Sequence, residues 1–423
     1  MTVSLVGRIK DGIKPTPVYK PYRVFKQRRQ EQEYLKTRED AYQQLPNAFA
    51  PPGCLARSRV LLYRSWHRRR EPLKNSKDVR IFAVDRTDLP PWWFQSELPR
   101  SFDSIIFSIT KHWLGFHQGR DDLIAFSQKN LSEVPLVSFT QTSKLREWRS
   151  ILQKDLLEAV REAHQERPID LCFVYASNTE VAPETLEQIR MLDIPVCLWW
   201  LDEKHLFNER PLGYPNGQVP LIGSCDVHLT NTFEALRWYM ARGAAAYYFP
   251  QAVDVVNVQP LNRERDIPVS FVGAAYGYRF EFIRKLRRAG VPVQCFGSRW
   301  ENGWADNDVE IYSRSIVNLG IGATGVSGRM TCVKGRDFVI PGAAGFYFTT
   351  YDPELSRLYH IGQEIACYRN EFDCVEQIRY YLERPDKAVA IGRAGRKRCQ
   401  SEHTWTKRML GLLRWMGILA QET

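Results

Sequence analysis

The stretch "PVSFVGAAYGYRFEFIRKLRRAGVPVQCFG", residues 268–297, reads as one complete unit of secondary structure. Residues 268–273 form an apolar, β-rich run of strand length, and residues 292–297 form another. Between them, 277–290 has the pattern of a helix that stops at Gly290, a residue suited to the left-handed backbone that closes helices. Two continuously apolar strands joined by a helix are the repeating unit of a parallel sheet covered on both faces.

The same alternation continues in both directions. Downstream, strands are expected at 315–321, 346–350 and 363–368, followed by a long helix over 374–398 interrupted at Pro385. Upstream, apolar runs at 79–85, 104–110, 134–140, 170–177, 194–202, 225–230 and 245–252 read as strands. One intervening helix covers 143–166, with Leu145, Trp148, Leu152, Leu156, Ala159 and Ala163 at 3-and-4 spacing and Ser143 as a cap; another, 182–192, opens on Pro183. The polar, proline-bearing stretch 253–266 is suited to a linker. The expected chain is therefore α/β. A basic N-terminal extension (1–78) precedes a first Rossmann-like domain (79–258) and a second (259–400), and a last helix (401–423) crosses back to the first. The parallel sheets face a central cleft, where open α/β folds bind ligands.

Composition narrows the classes. The chain of 423 residues is 44% hydrophobic and 25% charged, as in an ordinary globular protein. It has neither a run of about 20 apolar residues for a membrane span nor a signal-peptide pattern, so a cytoplasmic location is expected. Nine cysteines without C-x-x-C spacing argue against a zinc site or a disulfide framework. The net charge of +11 sits entirely in residues 1–78, which hold 18 Lys/Arg and 7 Asp/Glu. Such an arm suits an anionic membrane surface or an acidic partner, or else docks on the body as a solvated extension. No nucleic-acid motif accompanies it, so nucleic acid is the weakest reading.

Residues 334–355, "KGRDFVIPGAAGFYFTTYDPEL", concentrate the chemistry. A helix over Arg329–Ile340, entered from the glycine-bearing loop at 320–328, would leave backbone N–H groups near that loop, with Lys334 and Arg336 adding charge. Pro341 would end the helix, Gly342 and Gly345 permit a tight return, and Asp352 cap a following helix that begins with Pro353 and Glu354. The glycine turn containing Gly273 and Gly277, with Arg279, faces the same pocket. Cations and free amides converging on one crevice are suited to a diphosphate.

These stretches, together with "IGQEIACYRN" (361–370), "AGRKRCQSEHTWTKR" (394–408), "IPVCLWWLDEKHLF" (194–207) and "YYFPQAVD" (247–254), resemble the consecutive blocks of CgeB-like (spore-maturation-protein-like) glycosyltransferases over residues 170–410. The resemblance implies a GT-B fold, with a nucleotide-sugar donor in the second domain, a glycan, lipid-linked or protein acceptor in the first, and no bound metal or other cofactor. It implies donor contacts from Gly273, Gly277, Arg279, Arg329, Lys334, Arg336 and Glu354. One position departs: Val339 stands where relatives carry a glutamate that bonds the donor ribose. Asp337, about 200° around a helix from that position, does not replace it.

Glycosyl transfer also needs a base beside the acceptor hydroxyl. Asp202, Glu203 and His205 follow the strand at 194–202, Asp202 being the preferred base, and Asp85 ends the first strand. Each of these also fits a helix cap or a solvated strand end. His228 reads as a core histidine, and His403 as packing for the last helix. Three alternatives remain: another GT-B enzyme class such as an epimerase or phosphorylase, a non-catalytic binding module with a basic docking arm, and, from the arm alone, a nucleic-acid binder.

Overall fold

A computed structural model describes residues 29, 32–40, 62, 71–86, 93–116, 142–201, 203–207, 217–275, 277–323, 328 and 330–422. The first sheet has six strands: β1 Arg80–Asp85, β2 Asp103–Ser108, β3 Leu171–Tyr175, β4 Val196–Trp200, β5 Val227–Thr230 and β6 Ala246–Tyr248. Their order is β2-β1-β3-β4-β5-β6, and every neighbouring pair is parallel. The second sheet has five: β7 Ile267–Val272, β8 Val293–Phe296, β9 Ser315–Leu319, β10 Tyr347–Thr350 and β11 Ala366–Tyr368. These run β11-β10-β9-β7-β8, again all parallel.

The strands are apolar throughout because both faces are covered. Along β1, Ile81 and Ala83 enter one core while Phe82 and Val84 enter the other. The helix Thr142–Glu166 lays Trp148, Leu152, Leu156 and Val160 on the second of these cores, a stripe at four-residue spacing. That stripe shares three residues with the expected one, but Val160 takes the buried place while Ala159 and Ala163 lie at its edge. The helix also includes Thr142, so Ser143 lies inside it and is not its cap.

In each sheet the strand order reverses beside the domain's first strand, β1 and β7. A crevice opens at the C-terminal end of such a strand, because the connections on its two sides leave in opposite directions. The Gly273 loop lies at the second of these places.

The domains are joined twice. Val253 leaves the first domain in a parallel bridge with Thr404, and its N–H donates to the His403 carbonyl at 2.9 Å. Beyond Thr404, whose hydroxyl caps it, the helix Trp405–Met416 packs Trp405, Met409, Leu412, Leu413 and Met416 into the first domain's core. Trp405 meets Trp199 edge-on at 5.6 Å. Each such side chain contributes about 1.5–3 kcal/mol on burial, so this helix is a firm attachment. His403 serves that junction: its Nε2 lies 2.8 Å from the Leu358 carbonyl, its ring packs on Phe338 and Tyr359, and burial lowers its pKa to about 3.

Part of the basic extension is docked. Residues 32–40 are helical; Tyr34 donates to Glu234 at 2.8 Å and stacks edge-on against Trp238, and Arg38 pairs with Glu234 at 2.7 Å. This segment therefore follows the docked reading of the arm.

Several local expectations are corrected. β2 ends at Ser108 and gives way to a helix, Ile109–Phe116, where a strand was expected to continue to 110. The expected strand at 134–140 lies outside the described residues. Most consequentially, the helix expected from Arg329 begins only at Arg336 and runs to Gly342. Pro341 sits in its last turn rather than stopping it, and the left-handed residue of the return is Ala344 (φ 56°). Gly342 and Gly345 serve close packing instead: a Cβ on Gly342 would stand 2.7 Å from Val253, and one on Gly345 2.9 Å from Asn318.

Candidate functional site

Gly273 follows directly from β7 at the reversal of strand order. Its φ of 151° favours glycine, and a Cβ there would stand 2.9 Å from Arg336 Nη2 and 3.2 Å from Nη1. Four residues on, Gly277 (φ 56°) turns the chain into the helix Tyr278–Arg288. The loop is pinned from the β8 side: the Gly273 N–H donates to the Phe296 carbonyl at 2.7 Å, and Trp300 Nε1 donates to the Gly273 carbonyl at 2.7 Å. A glycine pinned at a strand end lets a ligand approach the backbone closely.

Two guanidinium groups converge on this loop around one aromatic ring. Arg336 Cζ lies 5.3 Å from the Phe271 ring centroid and Arg279 Cζ lies 6.0 Å from it. Arg279 is buried, with Nη1 3.4 Å from the Ala274 carbonyl. Arg336 Nη1 is buried without a hydrogen-bond partner, and among the described residues Arg336 forms no ion pair. Its nearby anion is Asp308, whose carboxyl burial pushes up and Arg336 pulls back down. A half-buried guanidinium with one buried, unused donor is suited to an anionic oxygen.

Asp337 supports this geometry from below. Its carboxylate accepts the Lys334 N–H at 2.7 Å and the Tyr347 hydroxyl, while Tyr359 donates to the Asp337 carbonyl at 2.8 Å. Burial raises the Asp337 pKa to about 6. Lys334 and Arg336 are thus held on a braced turn. Asp337 is fully engaged inside the domain, and Val339 packs at the edge of an apolar cluster with Phe338 and Ile340. Arg329 lies outside the described residues.

Glu354, an expected donor contact, is placed at the domain junction. Its carboxylate accepts the Phe233 N–H at 3.0 Å and the Tyr248 hydroxyl at 3.4 Å, both from the first domain. Burial raises its pKa to about 7, against the pull of Lys204. Asp352 does accept the Glu354 N–H at 2.9 Å, but the helix that follows begins at Leu355 and is a single turn.

On the other side of the cleft, Asp202 and the side chain of His205 lie outside the described residues. Glu203 starts the short helix Glu203–Leu206 and is buried beside Tyr239, whose hydroxyl pKa is pushed far up by burial and then by Glu203. It is a buried core carboxylate, not an exposed strand-end group. His228 is also a core group: its ring stacks on Tyr239 at 4.4 Å, Nε2 lies 3.3 Å from Cys225 Sγ, and burial lowers its pKa to about 3. Asp85 is buried at the end of β1.

Two groupings escaped the sequence reading. At the end of β1, Arg86 pairs with Glu180 at 2.9 Å and lies over Trp200 (5.1 Å) and Tyr175 (5.6 Å). At the junction, Lys204 and Asn231 reach across to Thr331 and Val333. The only local signal for Lys204 was its place inside the stretch at 194–207, where a lysine after two acids and before a histidine reads as solvated. Among the described residues no group of three or more His, Cys, Asp or Glu could hold a metal ion.

This architecture is the GT-B fold, and residues 279–414 match the family described as Glycosyl transferase-like. The matched span covers the helix with Arg279, the braced turn with Lys334 and Arg336, and most of the crossing helix. Among solved structures, a glycosyltransferase from Rickettsia africae ESF-5 aligns over 82% of this chain and 100% of its own, at 11% identity and a TM-score of 0.51. Anabaena Alr3699/HepE in complex with UDP-glucose aligns over 79% and 98%, at 10% identity and a TM-score of 0.49. No curated protein sequence matches the chain.

Proposed function

We propose that this protein is a metal-independent glycosyltransferase of hexosyltransferase type, related to the CgeB-like group. It moves a sugar from a nucleotide-sugar donor to a glycan, lipid-linked or protein acceptor. The acceptor hydroxyl oxygen attacks the anomeric carbon, the bond from that carbon to the diphosphate oxygen breaks, and the hydroxyl proton passes to a base. Arg279, Lys334 and Arg336, with the Gly273–Gly277 loop and the first turn of the helix after it, take the charge that develops on the departing diphosphate. Asp202 is the proposed base, with His205 beside it. The basic extension is proposed to contact an anionic surface or acidic partner near the inner membrane face.

The observation that carries this reading is Arg336 itself: a half-buried arginine over Phe271, against Gly273, whose buried Nη1 has no hydrogen-bond partner among the described residues. A second reading, a binding module that does not turn over, is favoured by Val339, because no carboxylate stands at that position of the turn. A thermal-shift panel of nucleoside diphosphates and nucleotide sugars tests both, with Arg336→Ala as the control. Stabilisation by at least one nucleotide that Arg336→Ala loses supports a donor site, and product formed from that sugar nucleotide separates transferase from module. Absence of a shift with every nucleotide would overturn the donor reading.

A further inference from the structure

One buried cation crosses between the domains. Lys204, on the short helix after β4, keeps 11% of its side chain exposed, and its ammonium meets carboxylates and a carbonyl of the second domain. It donates to the Thr331 carbonyl at 2.8 Å and lies 3.8 Å from Asp352 and 3.9 Å from Glu354. The segment it grips is held at two further points: the Thr331 hydroxyl donates to Asp352 at 2.6 Å, and Asn231 Nδ2 donates to the Val333 carbonyl at 2.9 Å. Lys334 is the next residue, and Arg336 lies two beyond it.

We infer that Lys204 is a positioning residue: it sets the short helix Glu203–Leu206, next in sequence to the proposed base, against the segment carrying the proposed diphosphate cations, residues 331–336. The contact stands on geometry alone; what it positions rests on the donor reading above. A lysine ammonium is a compact charge with three donors, costly to bury unless anions meet it. Here the anions belong to the other domain, so the buried arrangement exists only when the domains are in this register. Asp352 and Glu354 also face each other and would repel without the cation between them. The remaining groups facing the cluster are Cys332 and Tyr34 near Lys204, and Glu234 and Tyr248 near Glu354. Glu234 is the carboxylate held by Tyr34 and Arg38, so the docked helix of the extension abuts the same junction.

Hydrogen exchange on the full chain tests this. Lys204→Met keeps the length of the side chain and removes the charge. Amides in 230–235 and 331–337 should then exchange about tenfold faster, while β3 in the domain core exchanges as in the wild type. Lys204→Arg should restore most of the protection, which a purely packing role would not predict. With UDP as probe, the dissociation constant should rise about tenfold in Lys204→Met and recover in Lys204→Arg. Unchanged exchange in both segments of Lys204→Met would overturn the inference. Should that variant not fold, Asp352→Asn combined with Glu354→Gln removes the anions instead, and unchanged exchange at 203–206 and 230–235 would overturn it equally. If exchange responds as expected but the wild type binds neither UDP nor any other nucleoside diphosphate, the donor reading fails and the Lys204 contact stands.

Discussion

Arg86 and Arg336 occupy corresponding places in the two domains, each at the end of a sheet beside the reversal of strand order, and each over aromatic rings. Arg86 is met by a buried carboxylate at 2.9 Å, whereas Arg336 has a buried donor and no ion pair among the described residues. A neutralised guanidinium belongs to the architecture. One with a buried, unpaired Nη1 against Gly273 and no ion pair among the described residues is suited to a charge that arrives from outside.

Substitution of each arginine should separate these roles. Arg336→Ala should weaken nucleoside diphosphate binding about 100-fold, or about 2.7 kcal/mol, as expected for a charge-assisted bidentate contact, with little change in melting temperature. Arg86→Ala should do the opposite. It strands Glu180 in the interior, costing about 3 kcal/mol of stability, and leaves nucleotide affinity within about twofold. Calorimetric titration and denaturant unfolding of both variants read the two quantities directly. If Arg86→Ala lost nucleotide affinity as severely as Arg336→Ala, the distinction would be wrong.

A subtler alteration reaches the same loop. Gly273→Ala places a methyl group in an unfavourable backbone region and against the Arg336 guanidinium, so affinity should fall about tenfold and stability by about 1 kcal/mol. The equivalent test on the architectural side is Ser177→Ala, which removes one hydroxyl donor to Glu180 and should leave affinity unchanged.

The smallest effect expected is pH-dependent. Glu354 carries a folded pKa of about 7, above its ordinary value, so the native state holds a proton that the unfolded state has lost. Its contribution is fully present below about 4.5 and disappears as pH rises through 7. His228 and His403 act in reverse. Their folded pKa values near 3 mean that stability is lost as pH falls below about 6.5. The melting temperature of Glu354→Gln should therefore decline less between pH 5 and pH 8 than that of the wild type, by a few degrees. An identical decline would remove Glu354 from the account of the junction.

The fold was legible because parallel strands buried on both faces must be apolar along their whole length, and β1, β3, β4 and β7 announce themselves that way. Gly273, Gly277, Arg279 and Arg336 were legible for a related reason, since glycine at a strand end and cations beside it are local signals. Residues 330–335 were not. They were read as helix from their own composition, yet Thr331 and Val333 spend their carbonyls on Lys204 and Asn231, partners more than a hundred residues away. The partners of Glu354 were hidden similarly: a carboxylate after proline looks like a helix start, and only the folded chain brings the Phe233 N–H and the Tyr248 hydroxyl to it. Long-range pairing of polar groups leaves no periodic trace.

A crystal structure of the protein soaked with the nucleoside diphosphate that stabilises it most decides whether Arg336 belongs to a donor site. Phosphate oxygens are expected within hydrogen-bonding distance of Arg336 Nη1, between the Gly273 loop and the first turn of the Tyr278–Arg288 helix. A nucleotide bound elsewhere, with Arg336 turned into bulk water, would contradict that assignment.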